Sequence, residues 1–190
     1  MAKIKLTVED FEEAYKKLNE KLKAENITID VKAIGGYAMM IHGIRKDADG
    51  NLGMSEDTDS LVRYTDRVLE LISEVGKELG ILEDWLNNVP LDLVEVAPVM
   101  KKLHWKKMSG YSNINMYVAE VDSLILLKTR AIEMAGLVPR KTDKNDLMNL
   151  IKFIGIETID ELNENKSTRY IKDKYPRCYE FLTNSLQIKD

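Results

Sequence analysis

Two aspartates separated by one residue, Asp57 and Asp59 in "SEDTDSLV", are the residues whose type and spacing best suit chemistry. On an extended strand, side chains two apart project to the same face, so the pair presents two carboxylates to one ligand. Neighbouring carboxylates repel unless a cation lies between them or one takes a proton. Mg²⁺, or Mn²⁺ in its place, resolves that repulsion, because it takes oxygen ligands, keeps waters and bridges carboxylates to substrate phosphates. Upstream, Gly35 and Gly36 interrupt "AIGGYAMMIHG", where an apolar strand hands over to an apolar helix. Glycine is the costliest residue to order, and it suits such a junction if backbone must approach a ligand. A strand, a glycine turn and a helix N-terminus offer unpaired N–H groups to a phosphate. If the two strands lie side by side, the glycine turn holds a triphosphate and the aspartates hold the metal that bridges it. That arrangement suits nucleotidyl transfer, in which an acceptor hydroxyl displaces pyrophosphate from the α-phosphorus of a nucleoside triphosphate.

The same residues have plainer readings. A Gly-Gly pair is also an ordinary turn, and Asp-x-Asp in an acidic chain is also solvated surface. Lys128 sits beside Leu127 and four residues after Leu124, at the edge of an apolar helix stripe, from which it can reach a phosphate in a cleft or snorkel to solvent. Asp143 and Asp146 read as carboxylates favoured at a helix N-terminus. His42 and His104 are single imidazoles without a visible partner and read as core or surface residues. Trp85 and Trp105 read as packing residues rather than base-stacking platforms.

The elements that must position these groups follow from periodicity. Thr7 and Asp10 form a capping-box start, and Phe11, Ala14, Tyr15, Leu18 and Leu22 recur at helical spacing, which predicts a helix to about residue 23. Ile27, Ile29, Val31 and Ala33 alternate with polar residues and predict a strand ending at the glycines. A short buried helix closed by Gly43 comes next, then a loop or hairpin excursion in "IRKDADGNLGMSE". "DTDSLVRY" predicts a second strand. Thr65 or Asp66 caps a third helix whose stripe is Val68, Leu69, Ile72, Val75 and Leu79. "LDLVEVAPVM" fits strand or helix, while "LHWKKM" and "NINMYVAE" predict strands around a Ser-Gly-Tyr-Ser turn. Asp122 caps "SLILLKTRAIEMAG", Thr142 or Asp143 opens "KNDLMNLIKFIG", and Thr158 begins a last helical group. The order is that of an α+β chain with a mixed α/β part over 1–119 and a helical region over 120–190, or one continuous unit.

With 190 residues and 44% hydrophobic content, the chain can bury a real core. Its 28 basic and 32 acidic residues leave a formal charge of −4, so no broad cationic field exists and any nucleic-acid contact must use a local patch. The single Cys178 excludes an internal disulfide, and no Cys/His cluster supports a zinc site. No apolar run approaches the roughly 20 residues a bilayer crossing needs, and the first residues lack the apolar core of a secretory signal. The expectation is a cytoplasmic protein without membrane attachment.

"GGYAMMIHG" followed by "SEDTDSLV" resembles the signature of the nucleotidyltransferase (DNA polymerase β-like) superfamily. More narrowly, "GGYAMMIHGIR", "EDWLNN", "LILLKTRA" and "RKTDKNDLMNLI" together are similar to its AbiEii-like toxin branch, over roughly residues 30 to 153. The resemblance implies a small mixed sheet flanked by helices, followed by a C-terminal helical region. It implies that Gly35 and Gly36 bind phosphate, with Ser55 just before the acidic strand, and that Asp57 and Asp59 bind the metal. It also implies that Lys128 and Arg140 reach the nucleotide and that Asp143 orients or activates the acceptor. A toxin or phage-defence setting follows from the same likeness, with RNA such as tRNA as acceptor and a separately encoded antitoxin as partner. Two features depart from the pattern. The 20 residues between Gly36 and Asp57 are more than usual, as though "KDADGNLG" were an inserted hairpin over the acceptor side. The third carboxylate of many members is also missing: the best candidate strand offers Asn113 and Asn115, with Asp92, Glu95 and Glu120 less well placed. Two alternatives stay open. One is nucleotidyl transfer to a small molecule such as an aminoglycoside-like antibiotic. The other is a catalytically inactive nucleotide- or protein-binding module of the same fold.

Overall fold

A computed structural model of the chain describes residues 5–45, 53–88, 101–135 and 139–187. The chain divides into two compact units, Met1–Glu120 and Val121–Asp190.

The first unit is built on a five-stranded mixed sheet. Its elements in chain order are α1 (Val8–Ala24), β1 (Ile29–Ile34), α2 (Gly35–Ile41), β2 (Thr58–Ser60), α3 (Asp66–Leu79), β3 (Leu86–Asn88), β4 (Trp105–Lys107) and β5 (Ile114–Ala119). The spatial order is β3-β2-β1-β5-β4. β1 runs antiparallel to β2 and parallel to β5, β2 runs parallel to β3, and β4 closes the other edge antiparallel to β5.

Helix α1 starts where its local chemistry dictates. The Thr7 Oγ1 accepts from the Asp10 N–H at 3.3 Å and the Asp10 carboxylate accepts from the Thr7 N–H at 2.8 Å, so two orphan donors of the first turn are satisfied reciprocally. Its buried residues are Phe11, Ala14, Tyr15, Leu18 and Leu22, the predicted stripe. The period of two in β1 places Ile29, Val31 and Ala33 on one face. Their register partners Ile114, Met116 and Val118 lie on the same face, and all six are buried. Trp85 is 0% exposed. Its ring stands edge-on to Tyr15 at 5.0 Å between centroids, and its indole N–H donates to the Ile72 carbonyl at 3.0 Å. A buried indole thus keeps its one donor paired.

Several boundaries differ from expectation. The acidic strand is three residues long and does not extend to Tyr64. It pairs with β1 only through Ala33↔Ser60 and Ile34↔Asp59. Ile27 lies before β1, its N–H donating to the Leu22 carbonyl at the end of α1. The α3 stripe uses Leu71, which is buried, while Leu69 is 37% exposed. Both positions fit helical spacing, and the surface that α3 packs against decides between them. The short edge strand β3 lay in a stretch without a clear period. "LDLVEVAPVM", with Asp92 and Glu95, and nearly all of "KDADGNLG" lie outside the described residues.

The second unit is helical: α4 (Val121–Met134), α5 (Lys141–Phe153), α6 (Ile159–Glu164), α7 (Ile171–Lys174) and α8 (Pro176–Gln187). α4 and α5 pack together and bury Leu124, Ile125 and Ile132 on one and Leu147, Leu150 and Ile151 on the other. Asp122 lies inside the first turn of α4 rather than capping it, its Oδ1 accepting from the Ser123 N–H at 2.6 Å. Arg140 takes the N-cap position of α5, which puts Asp143 in its first turn. Thr158 does open α6, in a capping box with Glu161. Among the described residues no helix is long and apolar enough to cross a membrane. The architecture is α+β: a mixed sheet with helices and a C-terminal helical region.

Candidate functional site

β1 ends at Ile34, and Gly35 follows with φ +65°, a left-handed backbone that side chains other than glycine rarely adopt. The antiparallel register sets Asp59 directly opposite Ile34, and Asp59 Oδ2 lies 2.5 Å from where a Cβ on Gly35 would sit. Position 35 therefore excludes a side chain on two counts. At Gly36 the corresponding space is faced by Ser55 Oγ at 2.5 Å and by the Arg45 guanidinium. Arg45 donates to Ser55 Oγ at 3.1 Å. Ser55 is in turn held by a two-way backbone bridge to Leu6, donating at 3.1 Å and accepting at 2.6 Å. The glycine pair thus lets one carboxylate, one guanidinium and one hydroxyl converge on the backbone corner between β1 and α2.

Asp57 sits just before β2, and the neighbouring edge strand reaches it: Asn87 Nδ2 donates to Asp57 Oδ2 at 2.9 Å. Its carboxyl is pushed up to about 6, first by burial and then by the negative charge of Asp59, with Asp84 and Glu56 adding to it and the Asn87 hydrogen bond opposing it. Two oxygen-donor groups of like charge, one of them pushed up to about 6 by burial and then by that repulsion, fit a hard divalent cation such as Mg²⁺ or Mn²⁺. The fit has a consequence for stability. The folded chain keeps the Asp57 proton at pH values where the unfolded chain has released it, so this group lowers stability as pH rises from about 4 to about 6. Asp57→Asn removes that penalty. Above about pH 7 the variant melts higher than its parent by the equivalent of about 1 kcal/mol, allowing for solvent screening of a half-exposed group. The advantage should vanish below about pH 4, and a cation held by this pair should raise the melting temperature of the parent only. A variant that melts lower at neutral pH would show that Asp57 is a structural anchor instead.

In the second unit, Lys128, Asp143 and Arg140 also come together. Lys128 Nζ lies 2.7 Å from Asp143 Oδ1 and 2.7 Å from Asp146 Oδ2, and Arg140 Nε lies 2.8 Å from Asp143 Oδ2. The Lys128 side chain is 14% exposed, those of Asp143 and Asp146 are 5% and 8%. Burial works to raise the Asp143 carboxyl, but the Lys128 ammonium and the Arg140 guanidinium outweigh it, and Asp143 lies below the usual carboxylate range. Asp146, read from sequence as a helix-end carboxylate, is a full member of this cluster.

The two asparagines at the third-carboxylate position serve the fold. Asn113 Nδ2 donates to the Ile27 carbonyl and its backbone N–H to Asn19 Oδ1, both at 2.8 Å, tying β5 to the end of α1. Asn115 Nδ2 donates to Asp30 Oδ1 at 2.9 Å across the β1–β5 pair. Glu120 follows β5 and is exposed. The His42 Nε2 lies 2.9 Å from the Ala119 carbonyl, a structural contact, and Trp85 is core as expected. Trp105 is half-exposed. Gly35, Gly36, Ser55, Asp57 and Asp59 thus gather in the first unit, and Lys128, Arg140 and Asp143 in the second. Arg45, Asn87 and Asp146 are added by the structure. Only Asp146 carried a signal, its i, i+3 spacing from Asp143 on one helix. Compared with known protein families, with characterised proteins and with solved structures, the chain matches none.

Proposed function

We propose that this chain is a divalent-metal-dependent nucleotidyltransferase. The observation that carries the reading is the half-buried Asp57–Asp59 pair, with Asp57 pushed up to about 6, set against the Gly35–Gly36 corner where Arg45 and Ser55 converge. Asp57 and Asp59 would hold Mg²⁺ or Mn²⁺, which supplies charge neutralisation of the triphosphate and of the pyrophosphate that departs. Gly35 and Gly36 let a phosphate approach the backbone, and Arg45 with Ser55 offers it charged and neutral donors. The acceptor hydroxyl oxygen bonds to the α-phosphorus while the bond from that phosphorus to the bridging oxygen breaks. Pyrophosphate leaves with the electron pair, and the hydroxyl proton passes to base or water. On the family resemblance, Lys128 and Arg140 serve the phosphates and Asp143 the acceptor. Lys128 is already shared by two carboxylates, so a phosphate would have to compete with Asp143 or Asp146 for it. Asp143, doubly paired and low in pKa, is a poor proton acceptor, and its part is to hold Lys128. A toxin or phage-defence setting with RNA or tRNA as acceptor and a separate antitoxin rests on the resemblance alone.

One observation favours a small-molecule acceptor as the second reading. A cleft of about 390 Å³ is lined by Ile72, Glu83, Asp84, Leu86, Asn88 and Asn87, the last of which also bonds to Asp57. Its carboxylates, Asp84 and the Lys77-paired Glu83, suit a polycationic compound. The deciding experiment incubates the chain with Mg²⁺, each labelled nucleoside triphosphate, a panel of RNAs and an aminoglycoside. Labelled RNA supports the first reading and labelled drug the second. Triphosphate binding in calorimetry without transfer to anything identifies an inactive binding module.

A further inference from the structure

Between Glu95 and Glu120 the sequence contains no carboxylate, yet it contains Lys101, Lys102, Lys106 and Lys107. In a chain of formal charge −4, positive charge is therefore concentrated on the segment that forms the β4 edge of the sheet. All four lysines are exposed. The register then sorts the side chains by face. Trp105↔Ala119 and Lys107↔Tyr117 across the antiparallel pair, with Lys32↔Tyr117 and Asp30↔Asn115 across the parallel pair, put Trp105, Lys107, Tyr117, Lys32 and Asn115 on one face, together with Asp30, whose Oδ1 accepts from Asn115. This is the face opposite the buried one that carries Val31, Met116 and Val118. Ile34↔Asp59 places Asp59 on it too. Two cation–aromatic pairs line this face: Lys32 Nζ is 5.8 Å from the Trp105 ring centroid and Lys107 Nζ is 5.9 Å from that of Tyr117. Rings interleaved with lysines, on the sheet face that also carries Asp59 beyond the buried Ile34 and Ala119, match what a single nucleic-acid strand demands. Such a strand needs flat apolar platforms for its bases and cations for its phosphates at the same spacing.

We propose that this polar sheet face docks a single-stranded polynucleotide, with bases stacked on Trp105 and Tyr117, phosphates met by Lys32 and Lys107, and the strand directed toward Asp59. The inference rests on the nucleotidyl-transfer reading for the strand's role as acceptor, and it names that acceptor's class. Lys101, Lys102 and Lys106 add attraction along the edge, which steers a polyanion to this side of an otherwise acidic protein. An acidic peptide would satisfy the lysines but offers no flat groups to stack on the two rings.

The test uses the full chain without metal or triphosphate, so it does not depend on catalysis. Fluorescence anisotropy of a labelled, unstructured oligoribonucleotide reads affinity, and a DNA strand of the same sequence shows whether the 2′-hydroxyl matters. Binding should quench the emission of Trp105, the half-exposed tryptophan of the two, Trp85 being fully buried. Trp105→Ala with Lys107→Ala should weaken binding about tenfold or more, Trp105→Phe should largely retain it, and Lys32→Gln with Lys107→Gln should flatten its salt dependence. Affinity unchanged in folded double variants, no binding by the parent, or equal binding of a polyglutamate peptide would each overturn the proposal. If RNA is labelled at a rate indifferent to these substitutions, this surface is wrong and the reaction stands. If the strand binds here and nothing is transferred, the surface stands and the reaction is wrong.

Discussion

Replacing Asp57 and Asp59 together by alanine is expected to abolish transfer of label from a nucleoside triphosphate, with a rate loss of about a thousandfold or more. The magnitude follows from the charge that must be neutralised. A metal held by two carboxylates contributes several kcal/mol to a phosphoryl transition state, and each 1.4 kcal/mol or so is a factor of ten in rate. The same substitution should not unfold the protein. Asp57 is held up to about 6 by burial and by Asp59, so deleting both acids removes a repulsion that opposes folding above that pH. Activity and stability are therefore expected to move in opposite directions, which a merely structural pair would not do. Initial rates with Mg²⁺ and thermal melts at neutral pH, on the same preparations, check both. Transfer that persists in the double variant removes the assigned mechanism, and a lowered melting temperature identifies the pair as part of the scaffold.

The second large effect is on stability. Lys128→Met is expected to destabilise the second unit by about 3–5 kcal/mol, the usual cost of stranding buried charges by removing their partner. One ammonium serves two carboxylates that are 5% and 8% exposed. Arg140 still holds the second oxygen of Asp143, while Asp146 loses the ammonium that lay 2.7 Å from its Oδ2. The pH dependence fixes the interpretation. In the parent, Asp143 lies below its ordinary value, so the stability it contributes is present above about pH 4 and is lost as pH falls through the lower folded value. In the variant the ammonium no longer offsets the burial of Asp143, its carboxyl rises from that lowered position, and mild acidification restores part of the stability as it takes up a proton. Urea melts at neutral and mildly acidic pH should show the gap between parent and variant narrowing. Adding Asp146→Leu to Lys128→Met should recover part of the loss at neutral pH, because it removes one of the two buried carboxylates that faced the ammonium. A gap that stays constant with pH would mean that lost packing of the lysine stem, not charge, accounts for the effect.

Local patterns carried much of this. The capping boxes at Thr7 and Thr158 and the buried stripe of α1 are legible because a helix start and its apolar face are encoded within a few residues. The strand before Gly35 and the two strands around Ser109–Ser112 are legible for the same reason, with period two in place of 3.6. A carboxylate pair two residues apart and a glycine pair at a strand end are likewise visible in one short window, and so is the single cysteine. Where the window held no period, as at β3, or where two positions fitted equally, as at Leu69 and Leu71, sequence alone did not decide.

What the sequence by itself determined is therefore the inventory: which segments become helices and strands, and which acids, glycines and lysines are available for chemistry. Only the tertiary structure decided which of them meet. The approach of Arg45 and Ser55 to Gly36, the bond from Asn87 to Asp57, the capture of Lys128 by Asp146, and the placing of Trp105 on the face that carries Asp59 all depend on register and packing between separate segments. The physical reason is that helix and strand periods are set by neighbours along the chain. The pairing of elements is set instead by how whole buried faces fit, and that free energy is spread over many residues that no local window contains.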